Sequence, residues 1–237
     1  MVVLSALVAG GVSSVLTDRA LVPARGAGTQ SFSDGYACYP GQFSAFRRPS
    51  PLKLRDLLAV QSRSVPVGPP STVCAPATSG MPPSQLKGYL VCYPTTAATL
   101  GAAARLTNQV LSPLTLSKAS LRDAVCVESD RVDQRVRLDM RRLFVCYRTR
   151  TTGTGTRTVR VRDALRTTTE SNAAAAPQRG CAAAGESLPS ATPPKYLACS
   201  TVSTQSPAGS VVLKNRFGYL KAALGPRAAV CVESVRQ

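Results

Sequence analysis

The stretch Tyr89-Leu90-Val91-Cys92-Tyr93-Pro94 decides the fold class. It is short, β-branched and aromatic, and it stops at a proline, so it reads as one strand built around a cysteine. Counting outward, Cys38, Cys92, Cys146 and Cys199 follow one another at intervals of 54, 54 and 53, the near-constant spacing of an internal repeat. Cys74, Cys126, Cys181 and Cys231 come 36, 34, 35 and 32 residues after these openers. A third landmark lies between each pair: an apolar residue, a polar one, Asp or Asn, any residue, then an apolar one. It spans Leu54 to Leu58, Leu106 to Val110, Val161 to Leu165 and Leu213 to Phe217.

Other stretches have the same character. Leu52 and Leu54 alternate with Lys53 and Arg55, and Val159 and Val161 with Arg160 and Arg162, the period of two of a strand with one wet face. Asp56, Asn108, Asp163 and Asn215 then close turns by bonding their own backbone two residues on. Only the Ala-rich run Ala97 to Leu106 has room for a short helix. The expectation is an all-β chain of four tandem disulfide-stapled units of about 54 residues.

The units alternate in kind. The first and third carry Arg-Asp in the central landmark, whereas the second and fourth carry Asn and end in Cys126-Val127-Glu128-Ser129 and Cys231-Val232-Glu233-Ser234. Pro-Pro pairs join the units within each couple, and the segment between couples lacks Pro and Gly. This predicts two similar two-unit β domains, residues 31–130 and 131–237, behind a leader at residues 1–30. The apolar run Val2 to Leu16 matches the core of a secretory signal and is too short to span a bilayer. After its removal no membrane span is expected.

Eight cysteines behind such a leader read as disulfides formed in an oxidising compartment. No two lie closer than 18 residues, which argues against metal knuckles and thiol redox centres. Each opener is expected to bond its own closer, one of about 105 connectivities eight cysteines allow. A single unit is too small for a secure core, and closing a loop of about 35 residues contributes roughly 4 kcal/mol in the chain-entropy model.

Tandem units with a Tyr-x-Cys-Tyr-like opener, a central apolar-x-Asp turn and a closing Cys resemble an uncharacterised cysteine-bracketed repeat of bacterial secreted proteins, filed as a domain of unknown function. The resemblance covers Gly35 to Ser234. Ser200 departs from it where the Tyr after the opener should stand, and the Phe of its central turn survives only as Phe217. It implies a bacterial extracytoplasmic setting and brings no activity.

Chemistry is harder to find. With no His in the chain, Ser-His and Cys-His nucleophilic pairs cannot be built. Ser84-Gln85-Leu86-Lys87 spells the Ser-x-x-Lys of penicillin-recognising enzymes, but in a Pro-flanked linker without the companion motifs. Asp56 and Asp163 are read as turn residues rather than as an acid and base, since Asn at 108 and 215 keeps the turn bond and loses the acid. No catalytic residue, metal or cofactor is expected.

Two features suggest binding. Tyr39, Tyr93 and Tyr147 share one strand face with Ala37, Val91 and Val145 and offer a row for stacking sugar rings; the competing reading packs this face against a second layer. Between Arg131 and Arg166 there are 11 Arg against three acids, and Arg141, Arg142, Arg148, Arg150, Arg160 and Arg162 are the candidate polyanion contacts. The competing reading is compositional, Arg outnumbering Lys 23 to 6. The expected function is a monomeric, non-enzymatic secreted or cell-surface module, structural or binding an anionic envelope polymer or glycan. The alternative is a disulfide-rich inhibitor or effector of a protein target, and a hydrolase is the least expected.

Overall fold

The computed structural model describes residues 35–237, apart from 45, 60–61, 81–87, 134–141, 150–154, 167, 188–194 and 205. The expected leader and the Ser84–Lys87 quartet lie outside the described residues. The chain is all-β. The first segment forms β1 (Gly35–Phe43), β2 (Leu52–Asp56), β3 (Arg63–Val65) and β4 (Thr72–Thr78). The second forms β5 (Tyr89–Pro94), β6 (Ala104–Thr107), β7 (Leu114–Leu116) and β8 (Leu121–Arg131). β9 (Leu143–Arg148), β10 (Thr156–Asp163), β11 (Glu170–Ala175) and β12 (Arg179–Gly185) make the third. The fourth consists of β13 (Tyr196–Thr201), β14 (Pro207–Asn215), β15 (Gly218–Pro226) and β16 (Ala229–Arg236). The Ala-rich run 97–106 is not a helix: Thr99 bridges Leu121, and Ala104 opens β6.

Opening and closing strands alternate as the staves of one closed antiparallel barrel, in the order β1, β4, β5, β8, β9, β12, β13, β16 and back to β1. The boundary expected near residue 130 therefore separates no cores. β8 pairs β9 from Leu121↔Arg148 to Val127↔Leu143 across it, and β1 pairs β16 at the other seam. The two halves, 31–130 and 131–237, are arcs of a single barrel; four staves alone would leave two open edges, which closure removes.

Each opener faces its own closer in register, Cys38↔Cys74, Cys92↔Cys126, Cys146↔Cys181 and Cys199↔Cys231. All four bridges form as the spacing predicts, and no cysteine is free. The cysteines point into the barrel, where neighbouring bridges touch: Cys38 Sγ lies 3.8 Å from Cys231 Sγ, and Cys126 Sγ 3.8 Å from Cys146 Sγ. Tyr36, Leu90, Phe144 and Leu197, two residues before each opener, pack beside this ring of sulfur. An eight-stranded barrel is narrow enough for side chains to fill it.

The outward residues of the staves would be left wet without a second layer. The hairpins β2–β3, β6–β7, β10–β11 and β14–β15 supply it. Each pairs with the closing stave two segments away: β2 with β12, β10 with β4, β6 with β16 and β14 with β8. Leu54, Leu106, Val159, Val161 and Leu213 thereby meet Ala37, Val91, Val145 and Ala198 in one apolar shell. Gly180 marks a tight point in it. Val73, Val125 and Val230 precede the other closing cysteines, but a Cβ on Gly180 would lie 2.8 Å from Leu116 Cδ1 and 3.0 Å from Leu106 Cδ1.

Candidate functional site

The central Asp or Asn of each segment ends or directly follows the first hairpin strand and closes the turn. Asp56 Oδ1 accepts from Leu58 N at 2.9 Å and Ala59 N at 2.8 Å. Asp163 Oδ1 accepts from Leu165 N at 2.8 Å, Asn108 Oδ1 from Val110 N at 2.9 Å and Asn215 Oδ1 from Phe217 N at 2.9 Å. In Asp56, Asp163 and Asn215 the other half of the side chain turns inward, onto the opposite segment's opening stave. Tyr39 OH donates to Asp163 Oδ2 at 2.6 Å, Tyr147 OH donates to Asp56 Oδ2 at 2.8 Å, and Asn215 Nδ2 donates to Tyr93 OH at 2.9 Å.

These tyrosines cannot stack sugars. Tyr39 and Tyr93 are 0% exposed and Tyr147 1%, sealed between barrel and hairpins, so the row of rings is the packed second layer and not a glycan platform. Burial raises the ionisation of Tyr39 and Tyr147 well above the usual phenol range, helped by the charges of Asp163 and Asp56, and pushes Tyr93 up to about 12. The carboxylates are shielded with them, Asp56 at 4% and Asp163 at 0%.

Asn and the Cys-Val-Glu-Ser ending occur together for a reason the contacts give. Asn215 Nδ2 also donates to Ser129 Oγ, and Asn108 Nδ2 to Ser234 Oγ, both at 3.1 Å. Across the first and third segments Ala77 stands opposite Asp163, and Ala184 opposite Asp56, so no serine is needed. Ser200, which replaces the tyrosine of the fourth segment, is buried with its Oγ unpartnered.

Two arginines escaped the reading of the sequence. Arg227, four residues before Cys231, is wholly buried; it reaches Asp163 Oδ2 at 2.7 Å, Glu170 Oε2 at 3.1 Å and Tyr39 OH at 3.2 Å. Arg122, four residues before Cys126, is 5% exposed, and among the described residues its side chain makes two bonds of 3.4 Å, both to Thr96 O. Burial pulls its ionisation down from the ordinary guanidinium value. Pro70 and Pro177 hold this position in the other segments, and that alternation is the signal that was there to be read.

Arg122 lines a concavity of about 430 Å³ at one barrel mouth, with Arg148, Arg179 and Asp123. Asp123 Oδ2 accepts from Arg179 Nη2 at 2.6 Å and pairs with Arg148 Nε at 3.3 Å, while its Oδ1 is buried with no partner among the described residues. The other expected polyanion contacts are dispersed. Arg142 sits at the opposite end of β9, its backbone bonded to Glu128. Arg160 is exposed and Arg162 half-buried on the outer face of β10, and Arg141 and Arg150 lie outside the described residues. Among the described residues no group of metal-ligating side chains converges. No family model, curated protein or solved structure matches this chain.

Proposed function

We propose that the chain is a non-enzymatic extracytoplasmic binding module of a bacterial cell envelope, taking an anionic polymer or glycan as its target. One observation carries the reading. Its structural charges are internal, Asp56, Asp163 and Arg227 being buried, while most of a formal net charge of +17 is carried by arginines and lysines such as Lys53, Arg55, Arg105, Arg160 and Lys221 at exposed positions. A surface of that sign attracts polyanions. All eight cysteines are bonded, the state an oxidising compartment maintains, and a bacterial envelope is the setting the resemblance implies. The test is retention of the intact protein on immobilised heparin across a salt series. Retention at physiological salt, weakening by roughly one log unit of affinity per log unit of salt for each contact neutralised, supports the reading. Elution at or below physiological salt refutes it.

A second reading, an inhibitor or effector of a protein target, draws on one patch. Val132, Val212 and Tyr219 are 49%, 42% and 63% exposed, with Val132 N bonded to Val212 O and Lys214 over the Tyr219 ring. A protease panel tests it: inhibition lost in Tyr219→Ser supports it, and no inhibition anywhere in the panel removes it.

A further inference from the structure

The row of tyrosines expected to stack sugars is sealed, whereas Tyr219 is 63% exposed. It stands on β15, whose residues alternate between the apolar shell and water. Leu220, Ala222 and Leu224 are buried, while Tyr219, Lys221 and Ala223 face out. β14 does the same, with Val211 and Leu213 inward and Ser210, Val212 and Lys214 outward. The antiparallel register sets Lys214 opposite Tyr219, Val212 opposite Lys221 and Ser210 opposite Ala223, so these residues share one outward face of the sheet. β1 and the end of β8 extend it. Gln42 lies opposite Ala223, Asp130 lies opposite Lys214, and Val132 N donates to Val212 O at 3.1 Å.

This face mixes a flat ring, ammonium groups and hydrogen-bonding side chains. Lys214 Nζ stands 5.0 Å from the centroid of the Tyr219 ring, and Lys221 is exposed two residues along β15. The Ser210 hydroxyl and the Gln42 amide are exposed beside them, and Asp130 is half-buried. A concavity of about 400 Å³, walled in part by Gln42 and Ala223, lies at the β1 end of the face. From Tyr219 to Ala223 the strand rises about 13 Å, the reach of a short oligosaccharide rather than of one sugar unit. A pyranose has an apolar C–H face that lies flat on an aromatic ring and a rim of hydroxyls; a uronic acid adds a carboxylate for an ammonium group to meet. Other occupants fit less well. Lysine is depleted from the buried centres of protein interfaces, yet Lys214 and Lys221 stand among the apolar residues here. Single-stranded nucleic acid is held by successive stacking rings, and its phosphate at every unit would also meet Asp130.

We infer that the outward face of β14–β15 is a binding surface for an acidic oligosaccharide, one sugar ring stacked on Tyr219 and the carboxylates of its neighbours met by Lys214 and Lys221. The inference rests on the polyanion reading above and names its place and its ligand class, a chain of uronic acids. It gives Tyr219 the role that Tyr39, Tyr93 and Tyr147, being buried, cannot take. It also claims for a glycan the ring that the inhibitor reading needs against a protein.

Calorimetric titration of the intact protein with a tetrasaccharide of galacturonic acid tests it, with a thymidine oligonucleotide of the same net charge as a second titrant. Tyr219→Ser is expected to weaken the tetrasaccharide about tenfold, the loss of one stacked ring, and Tyr219→Phe to leave it within about twofold. Lys221→Gln should weaken it about threefold. Lys118→Gln, which removes the same charge from the exposed turn after β7, should change it less than about twofold. A Tyr219→Ser effect no larger than that of Lys118→Gln overturns the site and leaves the polyanion reading standing, as does a protein that heparin retains and the tetrasaccharide does not bind. Tighter binding of the oligonucleotide, lost in Tyr219→Ser, overturns the sugar assignment. Protease inhibition lost in Tyr219→Ser with the tetrasaccharide unaffected hands the face to a protein and overturns it too. Neither retention on heparin nor heat in the titration removes both readings.

Discussion

Arg227→Met and Arg122→Met form a matched pair whose outcomes should differ in sign. Met keeps the stem volume and deletes the guanidinium. At position 227 the deletion breaks a 2.7 Å pair whose partners are both 0% exposed, a second pair of 3.1 Å to Glu170, and the bond to Tyr39 OH. Asp163 keeps the Tyr39 hydroxyl and two backbone N–H groups as hydrogen-bond partners, so part of its solvation is retained. Removing one partner of such a buried pair costs about 3–5 kcal/mol. At position 122 the described residues offer no pair to break and two side-chain bonds of 3.4 Å to Thr96 O, and a desolvated cation is exchanged for an apolar side chain. The expected change is near zero or stabilising by about 1 kcal/mol. In a barrel of this size the first change lowers Tm by roughly 10 °C and the second leaves it level or raises it. Thermal and urea unfolding with the disulfides intact measures both. Equal losses, or a larger loss at position 122, would refute the assignment of Arg227 to a stabilising buried ion pair and of Arg122 to a desolvated cation without one.

Further outcomes follow from the same contacts. Tyr93, pushed up to about 12 by burial, keeps its proton in the folded state while the unfolded chain loses it near pH 10, so stability is full below pH 10 and falls between about pH 10 and 12. Tyr39 and Tyr147 act in the same direction; phenolate absorbance should rise together with unfolding, and Tyr93→Phe should lessen the alkaline loss. Gly180→Ala places a methyl 2.8 Å from Leu116 Cδ1 and should cost about 1–3 kcal/mol of unfolding free energy measured by urea titration, whereas no loss would mean the hairpin β6–β7 does not press on β12. Reduction of the four bridges, which close loops of 32–36 residues, removes roughly 4 kcal/mol each in the chain-entropy model; the reduced chain should lose its near-UV circular dichroism and its cooperative transition.

Local features of this fold could be read because they are written in local residues. Cys92 sits in a β-branched strand and Cys126 in a Val-rich one, so pairing them in register follows from the strand pattern. The turn residues Asp56, Asn108, Asp163 and Asn215 announce themselves by type and spacing, and each bonds the N–H two residues on, as expected. The alternation in β2 and β10 likewise gives the buried faces of the hairpins.

What stayed hidden depends on partners far along the chain. Nothing in Leu52–Asp56 says that it will pair with β12, because hydrophobic alternation specifies a face and not which distant strand accepts it. Without that crossover Tyr147 has no visible reason to be buried under Asp56, and a row of tyrosines looks available. The closure of β1 on β16 is hidden for the same reason, and with it the merging of the two halves. Among many arginines, Arg122 and Arg227 look like composition until their place four residues before a closing cysteine is compared with Pro70 and Pro177. Four of the six arginines chosen for charge are described, and Arg148 alone of these reaches the mouth, since alternation along one strand cannot bring together residues held by different staves.

The claim on which the rest depends is that residues 35–237 make one closed barrel rather than two cores. Expressing residues 31–133 and 134–237 as separate oxidised chains, and following near-UV circular dichroism and thermal unfolding of each alone and of the two mixed after refolding together, tests it directly. One barrel predicts no cooperative transition for either piece and its recovery in the equimolar mixture. A cooperative transition in either piece alone would contradict it.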